Sequence, residues 1–202
     1  IYALWCSFYA NIASLNNILE WSERNASVLS DERRDQVRGE ALALRGMLHF
    51  DIYRLFAADI KLDKTSRILP YQTDFGVKTP PVYATGDYLD LVVRDLEDAI
   101  KYLENDPIMK ITPYELGNGD GENKDQSDLY AAKALLARVY LNMGGEKVKE
   151  ARRLAEEVID CGKFALVDYE RSLNTEEANK DLLFSDEHIF SLRGQNVKTD
   201  AE

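Results

Sequence analysis

The stretch DLYAAKALLARVYLNMGGEKVKEARRLAEEVIDCG, residues 128–162, decides the fold of this chain. It holds two apolar patterns with the 3.6-residue period of a helix, separated by Gly144-Gly145. The first pattern consists of Ala131, Leu135, Val139 and Met143, widened by Ala132, Leu136 and Tyr140. The second consists of Val148, Ala151, Ala155, Val158 and Ile159. Because the turn between them is short, the two segments are predicted to form an antiparallel helical hairpin over residues 128–161.

This hairpin has the character of a tetratricopeptide repeat. The first helix of such a repeat carries a large apolar residue, a small residue, a Tyr and a Gly near the turn. Here these are Leu136, Ala137, Tyr140 and Gly144, and in the second helix Ala151 and Ala155 are predicted to take the inner positions. The match is partial, because Ala155 stands where a large aromatic residue is usual and the closing Pro is absent. An irregular repeat fold is therefore favoured over a regular array.

Three further helical patterns precede the hairpin. The first spans residues 1–24, the second follows Ser30 as its N-cap, and the third is capped near Thr85 and runs to Leu103. Their apolar stripes are Leu4, Phe8, Ile12, Leu15, Ile18 and Leu19; Val37, Ala41, Leu44, Leu48, Ile52 and Leu55; and Tyr88, Val92, Leu96, Ala99 and Leu103. The sequence therefore predicts a mainly α fold, a single domain over residues 1–202.

Long segments without a helical period separate these helices. Residues 57–84 contain Pro70, Pro80 and Pro81 and form a loop too long for a simple connector, so this loop is a candidate for function. Residues 68–71 within it are predicted to be extended, because the residue before a proline avoids the helical region. Short strands are predicted at 164–169 and 188–192.

Composition and charge exclude several classes of function. The net charge of -11 argues against nucleic-acid binding and against anionic lipid. No apolar run reaches the roughly 18 residues that a membrane span needs. Because Ile1 lies inside a helical pattern, we expect the chain to be an excerpt of a longer one. Cys6 and Cys161 lie in apolar stripes and are predicted to be buried, unlinked thiols.

No motif assigns a catalytic residue, a metal or a cofactor. His49 and His188 lack a neighbouring ligand at metal-site spacing, so a structural or surface role is predicted for both. The acidic pairs Glu97-Asp98 and Glu156-Glu157 are expected to lie on solvated helix faces. Residues 118–125 faintly resemble a calcium loop, but they do not meet the EF-hand pattern.

Four aromatic residues lie outside the helical stripes, in Pro-, Gly- and Thr-rich loops. Aromatic faces pack against the C–H faces of sugars, so these residues are candidate ligand platforms. They are Tyr71, Phe75, Tyr83 and Tyr114. The alternative is that these rings anchor their own loops to the helices.

The order of the segments resembles the SusD/RagB family of outer-membrane lipoproteins. One set of matching residues, in GEALALRGMLHFDIYRLFA (residues 39–57), is Glu40, Ala41, Arg45, Phe50, Tyr53 and Arg54. The first helix is similar to a family helix through Trp5, Tyr9, Ile12 and Asn16. ILPYQTDF (residues 68–75) resembles the Pro-Tyr loop of the family, and the third helix matches through Asp95, Leu96 and Ala99. Two more segments follow in the same order as in the family. They are the hairpin at residues 130–161, which resembles the tetratricopeptide core, and SDEHIFSLRG (residues 185–194), which resembles the closing segment.

This resemblance implies a non-catalytic, surface-exposed lipoprotein of the outer membrane, attached through a lipid anchor outside this segment. Such a protein binds a glycan or another nutrient oligomer and delivers it to a TonB-dependent transporter barrel of the SusC type. The alternatives are a tetratricopeptide-like scaffold that binds protein without a small ligand and, third, a hydrolase accessory or catalytic domain.

The resemblance assigns docking on the transporter to the tetratricopeptide-like helices, whose outward faces carry cations. Basic side chains there could steer an acidic partner surface. They are Arg94, Lys101, Lys133, Arg138, Arg152 and Arg153. Salt bridges to Glu97, Asp98, Glu156 and Glu157 along the same helices are the alternative.

Overall fold

A computed structural model describes residues 1–106, 126–167, 170, 173 and 187–192. Within these residues the chain is mainly helical, as predicted. The helices are α1 (Tyr2–Arg24), α2 (Asp31–Phe56), α3 (Thr85–Leu103), α4 (Leu129–Met143) and α5 (Lys147–Asp160). Two short strands, β1 (Arg67–Pro70) and β2 (Val82–Ala84), pair antiparallel in the segment before α3. Residues 118–125, which faintly resemble a calcium-binding loop, lie outside the described residues.

The helix ends follow local chemistry. The Arg33 N–H donates to Ser30 Oγ at 3.3 Å, which confirms Ser30 as the N-cap of α2. The cap of α4 is Asp128, whose Oδ1 accepts from the Ala131 N–H at 2.8 Å. Thr85 is the first residue of α3 and not its cap, because its hydroxyl donates to the Ser66 carbonyl. Gly144 and Gly145, at φ 72° and 60°, make the left-handed turn that sets α4 against α5.

The five helices pack in sequence order around one core. Helix α2 lies against α1 on one side and α3 on another, and α3 also packs on α4, which packs on α5. Two glycines of α2 bring α3 close. A Cβ at Gly39 would lie 2.5 Å from Leu103 Cγ, and one at Gly46 would lie 3.0 Å from Leu96 Cγ. A side chain at Gly39 would therefore displace Leu103, and one at Gly46 would press against Leu96.

Burial corrects several of the predicted stripes. Leu4 and Ile18 of α1 are exposed, and Leu55 of α2 is 57% exposed. In α5, Ala155 was predicted to take an inner position but is exposed. The inner face of this helix consists of Ala151, Leu154 and Val158. The stripe of α3, in contrast, is entirely buried, so that prediction is confirmed.

Helix α2 explains why an apolar stripe alone misidentifies a buried face. Its buried residues include Gln36, Arg45 and His49 beside apolar ones, because neighbours cover it on more than one side. An amphipathic pattern arises when one side of a helix faces water. A helix between two others lacks that constraint, and its interior polar residues must then be hydrogen-bonded.

Two other predictions differ from the structure. Cys6 and Cys161 are both free, as expected, but Cys6 is exposed and Cys161 is half-buried. Residues 164–167 and 188–192 are not in strands, so the predicted strands are wrong over those residues.

A buried ion pair joins α2 to α3. The Arg45 Nε and Nη2 donate to the two carboxylate oxygens of Asp95, each at 2.6 Å. Both side chains are 8% exposed. Burial by itself would lower the pKa of the Arg45 guanidinium, but the hydrogen bonds and charge of Asp95 outweigh that effect and raise it. The Arg45 guanidinium therefore keeps its charge inside the core.

Two further side chains complete this polar cluster. Arg45 Nη1 donates to Asn16 Oδ1 of α1 at 2.8 Å, and the Tyr71 hydroxyl donates to Asp95 Oδ2 at 2.7 Å. Burial and the adjacent Asp95 charge raise the pKa of Tyr71 well above its usual value, so its hydroxyl remains a donor. The cluster therefore joins three helices and the segment that follows β1.

His49 supports the same cluster by stacking. Its ring lies 3.8 Å from the Tyr71 ring, centroid to centroid, and its Nδ1 lies 2.8 Å from the Tyr88 hydroxyl. Burial is the main cause that lowers the pKa of His49, a hydrogen bond to the Gln72 carbonyl opposes it, and the Arg45 charge adds to it; together they bring this pKa to about 3. His49 is therefore neutral near pH 7 and structural, as predicted.

Leu136→Ala is expected to destabilise the protein by about 2–5 kcal/mol, because Leu136 is 3% exposed and its loss leaves a core cavity. Leu141→Ala, on the exposed face of the same helix, is the matched control and should change stability by less than about 0.5 kcal/mol. Chemical denaturation measures both. Equal effects of the two changes would show that the α4 face is assigned wrongly.

Asp95→Ala should destabilise the protein by about 3–5 kcal/mol, because it leaves the Arg45 charge buried without its partner. Asp98→Ala on the same helix removes only an exposed pair with Lys101 and should cost about 0–1 kcal/mol. The comparison uses denaturant unfolding of both variants. A loss for Asp95→Ala no larger than that for Asp98→Ala would contradict the role given to the buried pair.

Candidate functional site

The candidate ligand loop consists of residues 71–81, between β1 and β2. Its base is closed by the strand pairing, in which Leu69 lies opposite Tyr83 and Pro70 opposite Val82. The Tyr71 N–H donates to the Pro81 carbonyl at 3.3 Å and extends this pairing. The two ends of the loop are thus held together.

Helix side chains hold the first half of the loop by its backbone. Asn16 Nδ2 lies 3.2 Å from the Gln72 carbonyl oxygen and 3.4 Å from that of Asp74, and donates to both. Arg45 Nη1 donates to the Thr73 carbonyl at 3.5 Å. These contacts link the loop conformation to the buried cluster.

A more exposed contact holds the end of residues 72–75. The Phe75 N–H donates to Glu20 Oε1 of α1 at 3.1 Å. The Gln72 amide also donates to the Asp74 carbonyl at 2.6 Å, within the loop. Residues 72–75 therefore have a defined backbone before any ligand is present.

The structure separates the four aromatic candidates. Phe75 is 51% exposed and presents its ring to solvent, whereas Tyr83 is half-buried and packs against the core. Tyr71 is 2% exposed, so the prediction that its ring is a platform for sugar is corrected. That ring anchors the loop to the helices, which is the alternative given above. Tyr114 lies outside the described residues.

The cationic candidates divide into paired and unpaired side chains. Arg152 binds Glu156 at 2.7 Å, and Arg153 binds Glu150 at 3.0 Å and also Glu157. These spacings of three and four residues are those of ion pairs along a helix, and the sequence already carried that signal.

The remaining cations lie on α3 and α4. Lys101 binds Asp98 at 2.8 Å, and Lys133 binds Glu157 across the hairpin at 2.7 Å. Arg94 and Arg138 are exposed, and neither has an ion pair within the part of the chain that the structure describes. The alternative of intramolecular salt bridges thus applies to four of the six cations.

A groove of about 500 Å³ runs between α3, α4 and α5. Its apolar floor is formed by Ile100, Leu136, Tyr140 and Leu154, with charged side chains around it. The Tyr140 hydroxyl donates to Glu97 Oε1 at 2.7 Å. Burial is the main cause that raises the pKa of Tyr140, and this hydrogen bond is the second. The groove is therefore a surface of matched charges and not a uniformly basic patch.

Asn16 and Glu20 are the loop contacts that sequence reasoning did not assign. Asn16 enters the sequence analysis only as part of a family motif, but a polar residue beside the apolar stripe of α1 indicates a buried hydrogen-bonding role, and Asn16 is buried. Glu20 has no such signal, because an acidic residue near a helix end is common on protein surfaces.

Within the described residues, no group of three or more His, Cys, Asp or Glu side chains is arranged to hold a metal ion. None of the helices in the same part of the chain has the length and apolarity that a membrane crossing needs.

Solved structures share this fold. A SusD-like carbohydrate-binding protein from Bacteroides vulgatus ATCC 8482 has a TM-score of 0.72 and 18% identity, over 96% of this chain and 37% of its own. A SusD superfamily protein from Bacteroides thetaiotaomicron VPI-5482 has a TM-score of 0.70 and 28% identity, over 84% and 35%. Surface glycan-binding protein A from Bacteroides uniformis has a TM-score of 0.61 and 18% identity, over 82% and 33%.

The chain spans about a third of the length of these solved relatives, at 37%, 35% and 33%. No curated protein sequence matches it. A family model described as "Starch-binding associating with outer membrane" matches residues 1–141. Since this match covers more than half of the 202 residues, and the fold agrees with it, the chain belongs to the SusD-like family.

Proposed function

We propose that this chain is the helical part of a non-catalytic, surface-exposed outer-membrane lipoprotein that binds a glycan or another nutrient oligomer. It delivers this ligand to a TonB-dependent, SusC-like transporter, and its lipid anchor lies outside this segment. The observation that carries the proposal is the exposed Phe75 ring on a loop whose backbone is held by helix side chains. Membership of the SusD-like family supports it.

The loop is preorganised for binding a sugar. An exposed aromatic ring packs on the C–H face of a sugar, and hydroxyl and carboxylate groups bind the sugar hydroxyls. Thr73, Asp74 and Thr79 are exposed in the same loop as Phe75. Because residues 72–75 are already ordered, binding loses less conformational entropy than it would with a free loop.

The absence of catalysis is also part of the proposal. Each residue of the two acidic pairs, Glu97-Asp98 and Glu156-Glu157, binds another side chain of this chain. Glu97 accepts from the Tyr140 hydroxyl, and Asp98, Glu156 and Glu157 bind Lys101, Arg152 and Lys133. These carboxylates stabilise helix packing. A glycoside hydrolase instead needs two carboxyl groups that face the same substrate bond.

Docking on the transporter is proposed for the outward faces of α3, α4 and α5. Arg94 and Arg138 are exposed and have no ion pair among the described residues, so an acidic partner can bind them without breaking an internal contact. The four paired cations must lose or share a carboxylate in order to dock. We therefore expect Arg94 and Arg138 to contribute most.

Phe75→Ala in the full-length protein should weaken glycan binding several-fold, because one aromatic platform contributes about 1 kcal/mol beyond its buried area. A glycan array selects the ligand, with starch oligosaccharides as the first probes, and isothermal titration gives the affinity. Val77→Ala is the matched control, since Val77 is exposed in the same loop and has no ring. It should leave the affinity unchanged.

Other outcomes of these measurements would overturn parts of the proposal. An unchanged affinity for Phe75→Ala would place the ligand elsewhere in the protein. A protein that binds its partner but no glycan would favour the tetratricopeptide-like scaffold. Release of sugar from a labelled polysaccharide by the purified protein would make it an enzyme.

Arg94→Glu combined with Arg138→Glu should reduce co-purification with the SusC-like transporter and leave the melting temperature nearly unchanged, since both side chains are exposed. The control is Lys64→Glu combined with Arg67→Glu, which reverses two exposed cations outside α3, α4 and α5. Equal co-purification of the two double variants would remove docking from these helix faces.

A further inference from the structure

We infer that Glu20 is a positioning residue for ligand binding: its carboxylate holds the backbone of Phe75 and so fixes the ring above the loop. This inference rests on the proposed function, in which Phe75 contacts the glycan. Glu20 lies on α1, far from the loop in sequence, and acts through Phe75 without touching the ligand.

The two carboxylate oxygens of Glu20 have different partners. Oε1 accepts from the Phe75 N–H at 3.1 Å, and Oε2 binds Arg24 Nη2 at 2.9 Å, one helical turn further along α1. Arg24 therefore orients the carboxylate that receives the loop. The Glu20 side chain is 30% exposed, so it is accessible to change without opening the core.

Phe75 has few other constraints. Its ring is exposed, and within the described residues the backbone of 76–80 makes no hydrogen bond to the rest of the chain. A Cβ at Gly76 would meet no atom within 4 Å, so the loop enters open space directly after Phe75. Among the described residues, the bond to Glu20 is thus the last hydrogen bond that holds the loop before its base closes at Pro81.

The residues just before Phe75 are held by side chains of the buried cluster. Asn16 holds the carbonyls of Gln72 and Asp74, and Arg45 in turn binds Asn16. Those contacts belong to the buried cluster, whose removal affects the whole fold. Of the helix side chains named above that hold the loop, Glu20 is the one outside this cluster, so its loss separates the position of the ring from the stability of the core.

The physical effect is one of conformational entropy. Without its acceptor, residue 75 samples several backbone states, and the glycan must select the one in which the ring is correctly placed. The apparent affinity falls by the fraction of molecules that hold that state. Glu20→Ala should therefore weaken binding although the side chain makes no ligand contact.

The test uses the full-length protein and two measurements. Hydrogen exchange of the 72–78 peptide in the absence of ligand should be about fivefold faster in Glu20→Ala, as expected for the loss of one hydrogen bond. Titration with maltoheptaose, a starch oligosaccharide, should show about three- to tenfold weaker binding. Glu20→Gln should keep most of the protection and most of the affinity, because its amide oxygen still accepts the Phe75 N–H although the ion pair with Arg24 is lost.

Glu23→Ala is the matched control. It removes the same charge from the same helix, and its carboxylate binds Arg38 and not the loop. It should leave both the exchange of residues 72–78 and the affinity unchanged. A purely electrostatic effect of Glu20 would instead appear equally in Glu20→Gln, and that result would overturn the inference.

The remaining outcomes separate this inference from the proposed function. Unchanged exchange of residues 72–78 in Glu20→Ala would overturn the positioning role directly, whatever the ligand. If Phe75→Ala weakens binding and Glu20→Ala does not, the positioning role fails and the proposed function stands. If exchange rises in Glu20→Ala while Phe75→Ala leaves maltoheptaose affinity unchanged, the ligand role of Phe75 fails and Glu20 still holds the loop.

Discussion

The buried ion pair between Arg45 and Asp95 is the contact on which the N-terminal half of the structure depends. Two charges inside a core are tolerated only when they are paired and their remaining hydrogen-bonding groups are satisfied. Here Asn16 satisfies Arg45, and the Tyr71 hydroxyl satisfies Asp95. That requirement places α1, α2, α3 and the segment after β1 at fixed positions around one point.

The candidate ligand loop inherits its shape from this cluster. A loop that had to order itself would lose conformational entropy each time it bound a ligand. In this protein α1 and α2 hold its carbonyls, and Glu20 extends the same support to the surface. The α4–α5 hairpin is organised differently, by an apolar seam and by ion pairs along and between its helices. The proposed ligand loop and the proposed docking faces are thus stabilised by different kinds of contact.

The candidate site was only partly predictable, and the reason lies in which contacts are local. The ion pairs Arg152–Glu156 and Arg153–Glu157 join residues four positions apart on one helix, so the sequence alone offers them as an alternative to partner docking. Tyr71 and Phe75 look alike in sequence, since both are aromatic residues in a proline-rich loop. One is buried against His49 and the other faces solvent, because the distant Asn16, Arg45 and Asp95 fix how the loop lies on the helices.

The sequence by itself determined the helical class, the positions of α1 to α5 to within a residue or two, and the antiparallel hairpin closed by Gly144 and Gly145. These features depend on periodicity, capping and backbone conformation, which act over a few neighbouring residues. Only the tertiary structure decided which faces of α2 are buried, which loop aromatic is exposed, and that Asn16 and Glu20 hold the loop. Those features depend on contacts between residues 28 to 58 positions apart, and a local pattern carries no information about such contacts.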